Sequence, residues 1–315
     1  MYKNQILKQS SEDLSLIPDK AITLTVTSPP YWNAIDYDRH SVDTEQDYRT
    51  RSYSEGYRSY SEYLDWLIDI FSKLLEKTRP GGFLAIIIGT VLLEGKHYPV
   101  PMDLTSRLTK EGWEFRQDII WNKVTGGVKR AGSYIRYPYP GYYHPNIMTE
   151  YILLLRREGE PLYRHYSQKE KERAAGPINK LFTNEIANNI WHIAPVPPGY
   201  LDHPCPFPEE IPFRLISLFS YPENLVFDPF NGSGQTTKVA KYLNRDYLGF
   251  DTSKKYVEYA QKRLEDPPSL RKEQLINSIE KIDRETPREG KTKGHTRHGS
   301  GQRKNRGDQL SFFKD

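Results

Sequence analysis

The chain has 315 residues, of which 37% are hydrophobic and 27% charged, and carries a formal net charge of +4 at pH 7. That length supports one large α/β domain with insertions or two smaller domains, while the low apolar share leaves part of the chain outside any core. The modest charge permits a polyanionic partner without demanding one, and the single cysteine, Cys205, excludes an internal disulfide and any cysteine-cluster metal site, as suits a reducing cytosol. The opening Met1-Tyr2-Lys3-Asn4-Gln5 begins no apolar run of signal-peptide or membrane-spanning length, so a soluble cytoplasmic protein away from membranes is expected.

Residues 4–27 read as strand, short helix, strand: Gln5-Ile6-Leu7, a capped turn of helix at Ser11-Glu12-Asp13-Leu14, then Ile22 to Val26. The second strand runs into Thr27-Ser28-Pro29-Pro30-Tyr31-Trp32. A proline has no N–H and keeps the residue before it extended, so Ser28 and Pro29 stay out of any following helix and present oxygen acceptors beside an aromatic face. The exocyclic amine of cytosine or adenine is a poor nucleophile until acceptors on its hydrogens help it pyramidalise. The Ser28 side chain and the Pro29 carbonyl suit that task, and Tyr31 suits a platform on which an unstacked base rests. A strand end followed by an ordinary proline turn is the plainer account of the same tripeptide.

The polar, Tyr-, Arg- and Ser-rich stretch 36–60 reads as a flap over this turn or as a solvated loop. A helix is predicted over Ser61–Thr78, with Leu64, Leu67, Ile68, Phe71, Leu74 and Leu75 on one face. Arg79-Pro80-Gly81-Gly82 stops it, and Phe83 to Ile88 is an unbroken apolar run of the kind a strand covered on both faces shows. A second unit follows: helix Met102–Lys110, stop at Gly112, strand Phe115–Trp121, with a last strand at Tyr151–Leu155. Between those strands, Val124–Ile147 interleaves Lys129, Arg130 and Arg136 with tyrosines, glycines and prolines, a composition suited to phosphates and bases or to an ordinary structural loop. Residues 157–200, with a charged helix at Gln168–Ala174 and the turn Pro195–Gly199, lack a sheet pattern and read as an inserted target-recognition segment.

The second half opens at His203-Pro204-Cys205-Pro206-Phe207-Pro208, continues as an amphipathic helix to Phe219, and reaches Leu225-Val226-Phe227-Asp228-Pro229-Phe230-Asn231-Gly232-Ser233-Gly234. Strand, glycine turn, helix to Leu243, strand Tyr247–Phe250 and then Asp251 is the context of a nucleoside site: glycines admit close approach, a helix N-terminus offers N–H groups, and a carboxylate accepts ribose hydroxyls. A phosphate-binding loop would need a lysine that Gly232-Ser233-Gly234-Gln235-Thr236-Thr237 lacks, and a nicotinamide site a fuller glycine fingerprint. Cys205 precedes the cofactor strand and reads as a packing residue near the cofactor rather than a catalytic thiolate.

Taken together, residues 4–265 resemble the beta group of amino-methyltransferases acting on DNA, in which the catalytic half precedes the cofactor half. Thr27 to Trp32 resembles motif IV, His203 to Pro208 motif X, Asp228 to Gly234 motif I, and Asp251 the acidic residue of motif II. The resemblance implies an α/β S-adenosylmethionine-dependent methyltransferase fold: a circularly permuted, seven-stranded, mostly parallel sheet with helices on both faces and an inserted target-recognition segment. The strand ending at Leu7 would lie beside the one ending at Asp251. The implied layout is a catalytic half at 1–156, the recognition segment at 157–200, the cofactor half at 201–265 and a tail at 266–315.

It also implies a catalytic set of Ser28, Pro29, Pro30 and Tyr31 and a cofactor set of Phe207, Asp228, Phe230, Gly232, Ser233, Gly234 and Asp251; the basic, tyrosine-rich loop adds expected DNA contacts at Lys129, Arg130 and Arg136, and no metal is expected. Within the family Ser-Pro-Pro-Tyr usually accompanies N4 methylation of cytosine, and Asp- or Asn-Pro-Pro-Tyr N6 methylation of adenine; Ser28 therefore favours a flipped cytosine in double-stranded DNA. The expected reaction is direct in-line transfer, in which positioning and exclusion of water supply most of the catalysis. Family members often carry Gly-Asp after the first strand; here Lys8-Gln9-Ser10 stands there, leaving Gln9 or Ser10 to hydrogen-bond the adenine.

Such enzymes imply a prokaryotic, nucleoid-associated protein with a companion restriction endonuclease. Adenine N6 methylation, methylation of RNA or a protein amide, and a DNA-binding regulator without turnover are the rival readings. After Arg263-Leu264 the chain loses its hydrophobic pattern, and Lys291, Lys293, Arg297, Arg303, Lys304 and Arg306 read as a disordered polycationic tail able to bind phosphates in a salt-dependent way. Its end, with Gln309, Leu310, Phe312 and Phe313, resembles the short peptides by which bacterial proteins dock on the DNA sliding clamp.

Overall fold

The run Leu84-Ala85-Ile86-Ile87-Ile88 shows how one strand can serve two cores: side chains alternate across a strand, so Leu84, Ile86 and Ile88 enter one apolar cluster while Ala85 and Ile87 enter the other. The computed structural model describes residues 2–32, 59–93, 96–123, 140, 147–175, 186–197, 200–201 and 205–270. In chain order its elements are β1 (Gln5–Lys8), β2 (Ile22–Thr27), α1 (Tyr60–Lys77), β3 (Thr78–Ile88), β4 (Val91–Leu93), β5 (Lys96–Tyr98), α2 (Val100–Lys110), β6 (Trp113–Asn122) and β7 (Thr149–Arg157). There follow a 3-10 turn (Leu162–His165), α3 (Gln168–Ala175), β8 (Ile190–His192), α4 (Glu210–Phe219), β9 (Leu225–Asp228), α5 (Gln235–Tyr242), β10 (Asp246–Asp251) and α6 (Lys254–Arg263).

The strands form one sheet in the order β1-β10-β9-β2-β3-β7-β6-β8, with β7 antiparallel to both neighbours and the other pairings parallel. β4 and β5 make a separate antiparallel pair. The cluster on one face holds residues of α1 and α2, such as Leu67, Phe71, Leu104 and Leu108; the cluster on the other holds residues of α4, α5 and α6, such as Ile211, Phe213, Val239 and Ala260. This is the α/β methyltransferase sheet expected from the sequence, and β1 lies where expected, with Lys8 registered against Asp251. The eighth strand is additional. Ile190–His192 pairs with Ile120–Asn122 at the edge, and Trp191 is buried there under the Arg214 guanidinium at 5.3 Å. Three residues are too few to show a period, so nothing in the sequence pattern marked them.

Three local expectations are corrected. Ser11–Leu14 is not helical: Ser10 Oγ accepts from the Glu12 N–H and Asp13 Oδ1 from the Ser15 N–H, so side chains capture the backbone in turns. The Arg79–Gly82 stretch is an irregular part of β3, across a register shift opposite Ile22 and Leu24, instead of a turn before it. Cys205 is exposed, which removes its packing role. Helix α1 starts at Tyr60 because Ser59 and Glu62 form a reciprocal capping box; its buried face takes in Tyr63 and Ile70, while Ile68 and Leu75 are half-buried. Of the stretch 36–60 read as a flap, Ser59 and Tyr60 belong to the start of α1, and residues 36–58 lie outside the described residues, as do the loop residues Lys129, Arg130 and Arg136 and tail residues 271–315, including Gln309, Leu310, Phe312 and Phe313.

Candidate active site at the strand switch point

From β9 the chain crosses through α5 to β10 on one side, whereas from β2 it crosses through α1 to β3 on the other. Neighbouring strands whose connections diverge leave a crevice outside their carboxyl ends, the place where open α/β sheets bind ligands. β2 and β9 are those neighbours, registered Leu24 to Val226 and Thr25 to Phe227. The Ser28-Pro29-Pro30-Tyr31 turn leaves the first, and the Pro229–Gly234 turn leaves the second. They are tied at their roots, where the buried Thr27 hydroxyl donates to Asp228 Oδ1 at 2.6 Å and the Thr236 hydroxyl at the start of α5 donates to the Val26 carbonyl at 3.1 Å.

On the β2 side Pro29 is buried, while Ser28, Pro30 and Tyr31 are half-buried. The Pro30 carbonyl accepts a hydrogen bond from Tyr63 of α1 at 2.9 Å. Trp32 is 5% exposed and packs edge-on against Tyr98 with ring centroids 4.5 Å apart, and against Tyr60 at 5.2 Å. Tyr60 in turn donates to Asp103 at 2.8 Å, so α2 and β5 both brace the end of the turn.

The β9 side is fixed mainly by hydrogen bonds. Asp228 Oδ1 accepts from the Phe230 N–H at 3.0 Å; Asn231 donates its N–H to the Phe250 carbonyl at 2.8 Å, and its Oδ1 accepts from Thr237 at 2.9 Å. Asp251 accepts from the Gly232 N–H at 2.9 Å and, through its other oxygen, from the Ser253 N–H at 2.8 Å. A carboxylate oxygen can take a second donor, so these bonds leave acceptor capacity for hydroxyls. Burial pushes the Asp228 carboxyl up to about 6, with the Asp251 charge adding to the rise and the Thr27 and Phe230 hydrogen bonds opposing it. Gly234 sits at φ 80, and a Cβ there would lie 2.8 Å from the Ala260 Cβ of α6. Gly249 within β10 has a different reason: a side chain there would meet Asn231 at 2.6 Å.

Of the residues expected from the sequence, Ser28, Pro29, Pro30, Tyr31, Asp228, Phe230, Gly232, Ser233, Gly234 and Asp251 all belong to this carboxyl edge of the sheet. Phe230 packs on Trp66 of α1 at 5.5 Å, and Trp66 donates to Glu12 at 2.6 Å. Phe207 is buried in the cluster with α4 and α5, and its carbonyl accepts from Gln235 at 2.8 Å. Gln9 donates its amide to Asp13 at 2.9 Å, and Ser10 holds the Glu12 N–H. Sequence reasoning assigned no role to Tyr63, Glu209, Gln235, Thr236, Gly249 or Arg263. Only Gly249, a glycine inside a strand, carried a signal of close approach.

The sequence profile of the DNA methylase family of N6/N4 methyltransferases matches residues 22–262. The Type II methyltransferase M.MthZI of Methanothermobacter thermautotrophicus is 25% identical over 289 residues, covering 88% of this chain and 80% of that protein. Type II methyltransferase M.BglII of Bacillus subtilis is 26% identical over 282 residues, 85% and 70% of the two chains. A Thermus thermophilus protein described as a putative DNA modification methylase and crystallised with S-adenosyl-L-methionine superposes with a TM-score of 0.63 at 27% identity, over 82% of this chain and 92% of that one. The cytosine-N4-specific PvuII DNA methyltransferase shares the fold, with a TM-score of 0.62 at 20% identity over 88% and 91%. With a family match across most of its length and the catalytic motif preceding the cofactor motif, this chain belongs to the DNA methylase family, in its beta group of amino-methyltransferases.

Proposed function

We propose that this chain is a site-specific methyltransferase that moves a methyl group from S-adenosylmethionine to the exocyclic N4 of a flipped cytosine in duplex DNA. One observation carries the reading: the turn with oxygen acceptors and the turn with glycines and carboxylates leave adjacent strands at the switch point, joined at their roots by the 2.6 Å Thr27–Asp228 bond. Such a site holds two ligands side by side, which an in-line transfer between them needs.

The residues on the β9 side fit S-adenosylmethionine. Among the described residues, Asp228 Oδ2 and Asn231 Nδ2 are buried without a hydrogen-bond partner, an arrangement costly enough to mark a place for a polar ligand. Asp251 would accept the ribose hydroxyls, the Gly232-Ser233-Gly234 turn would lie along the ligand, and Phe207 and Phe230 would wall the site. When bound, S-adenosylmethionine supplies a methyl group on a positively charged sulfur. On the β2 side Ser28 and the Pro29 carbonyl accept from the target amine, Pro30 keeps the turn extended, and Tyr31 stacks on the extruded ring.

Ser28 in place of an acidic or amide residue favours cytosine, and the relatives' Type II designation favours a restriction–modification setting with a companion endonuclease. The family description covers both bases, so N6 methylation of adenine is the second reading. Incubation with duplex DNA and S-adenosylmethionine, followed by digestion and mass spectrometry of the nucleosides, should yield N4-methylcytosine. N6-methyladenine would overturn the inference from Ser28, and no methylated nucleoside would leave a DNA-binding role without turnover. Ser28→Ala should lower turnover on the order of 10- to 100-fold, the worth of one hydrogen bond made to the reacting group, and leave donor affinity unchanged.

A further inference from the structure

Three charged side chains are buried together behind the glycine turn: Glu209 is 4% exposed, Lys238 5% and Arg263 8%. Glu209 accepts from Lys238 at 2.9 Å, from Arg263, and from the Ser269 N–H at 2.6 Å. The other side of the Arg263 guanidinium donates to the Ser233 carbonyl and to Gln235 Oε1. Gln235 then passes the connection on, its amide donating to the Phe207 carbonyl at 2.8 Å. Desolvating one carboxylate and two cations is a poor route to stability, since well-packed apolar residues do as well or better. A planar guanidinium with donors in a fixed fork supplies geometry instead.

That geometry joins two segments far apart in sequence, Phe207–Glu209 and Ser233–Gln235, at a fixed separation set by a residue at the end of α6. We propose that Arg263 is a positioning residue for the methyl donor, holding the Gly232–Gly234 turn at a fixed distance from the Phe207 wall so that the donor meets a preformed slot. The proposal rests on the reading of this side as the S-adenosylmethionine site. Arg263 acts through Ser233 and Gln235, so its loss should appear in donor affinity and leave turnover on DNA at saturating donor intact.

The test is calorimetric titration of S-adenosylmethionine into the full-length wild type, Arg263→Met and Arg263→Lys, with steady-state methylation of duplex DNA at saturating donor. Both variants should bind the donor about 10-fold or more weakly, as expected for losing a charge-assisted hydrogen bond that shapes the site, with kcat and the KM for DNA unchanged. Lysine should not rescue, because one ammonium can pair with Glu209 without also spanning Ser233 and Gln235. Wild-type donor affinity in Arg263→Lys, or a lowered melting temperature with donor affinity unchanged, overturns the proposal. If both arginine variants fail to fold, Gln235→Met, which leaves the Glu209 ion pairs in place, must show the same affinity loss, and equal affinity there overturns it. A wild type that does not bind S-adenosylmethionine removes the functional reading and the inference with it; a wild type that binds while the variants bind equally well removes the inference alone.

Discussion

The two turns at the switch point are held in place by different physics. The turn after β2 takes its shape from covalent constraint, two consecutive prolines, and from rings packed around Trp32, with Tyr63 bonding to the Pro30 carbonyl. The turn after β9 takes its shape from a hydrogen-bond network through Thr27, Asn231, Thr237, Asp251 and Arg263, together with glycines that tolerate positive φ and close contact. A proline turn keeps its geometry without recruiting its carbonyls into a helix; the Pro30 carbonyl is held by Tyr63, and the proposed reaction calls on the Ser28 and Pro29 oxygens. A networked turn is held in place before a small ligand enters, which lowers the cost of ordering the site, and among the described residues it leaves Asp228 Oδ2 and Asn231 Nδ2 without a partner.

That contrast can be broken from either side. The largest effect should come from Gly234→Ala, which places a β-carbon at positive φ and against Ala260; strain and overpacking together should cost about 2–4 kcal/mol in denaturant unfolding and abolish tight donor binding. Next is Asp228→Asn. The Asp228 carboxyl is raised from 3.8 to about 6 in the folded state, so the fold binds its proton more tightly than the unfolded chain does. Stability from this group is therefore fully present below the unfolded value of 3.8 and is lost as pH rises through about 6. Unfolding free energies across that window should show the wild type falling relative to Asp228→Asn by about 3 kcal/mol, the equivalent of the shift. Parallel pH profiles for the two proteins would mean that Asp228 is not buried as a strained carboxylate.

The smallest effect should be that of Tyr63→Phe, which removes the hydroxyl bonded to the Pro30 carbonyl and keeps the ring. Stability should fall by about 1 kcal/mol and turnover should drop, while donor affinity is unchanged. A change in donor affinity in Tyr63→Phe would show that the two turns are mechanically coupled through Thr27 and are not separate devices.

Much of the fold was legible because its signals are local. The run Phe83–Ile88 announced a strand covered on both faces, the 3.6-residue spacing along 61–78 announced α1, and the order of the proline turn before the glycine turn announced the permuted connectivity. The residues proposed to act on a ligand were legible for the same reason, since prolines, glycines and a carboxylate stand together at strand ends within short stretches of sequence. The sequence by itself determined most of the elements, their order around two turns, and the chemical type of each turn. Only the tertiary structure decided that Thr27 bonds Asp228, that Ile190–His192 closes the far edge of the sheet, that Tyr63 braces Pro30, and that Arg263 and Glu209 lock the glycine turn to Phe207. These contacts join residues tens to hundreds of positions apart, and no spacing rule encodes them: a periodic pattern reports which face of an element is apolar, whereas a buried polar partner is fixed by where two separate faces meet.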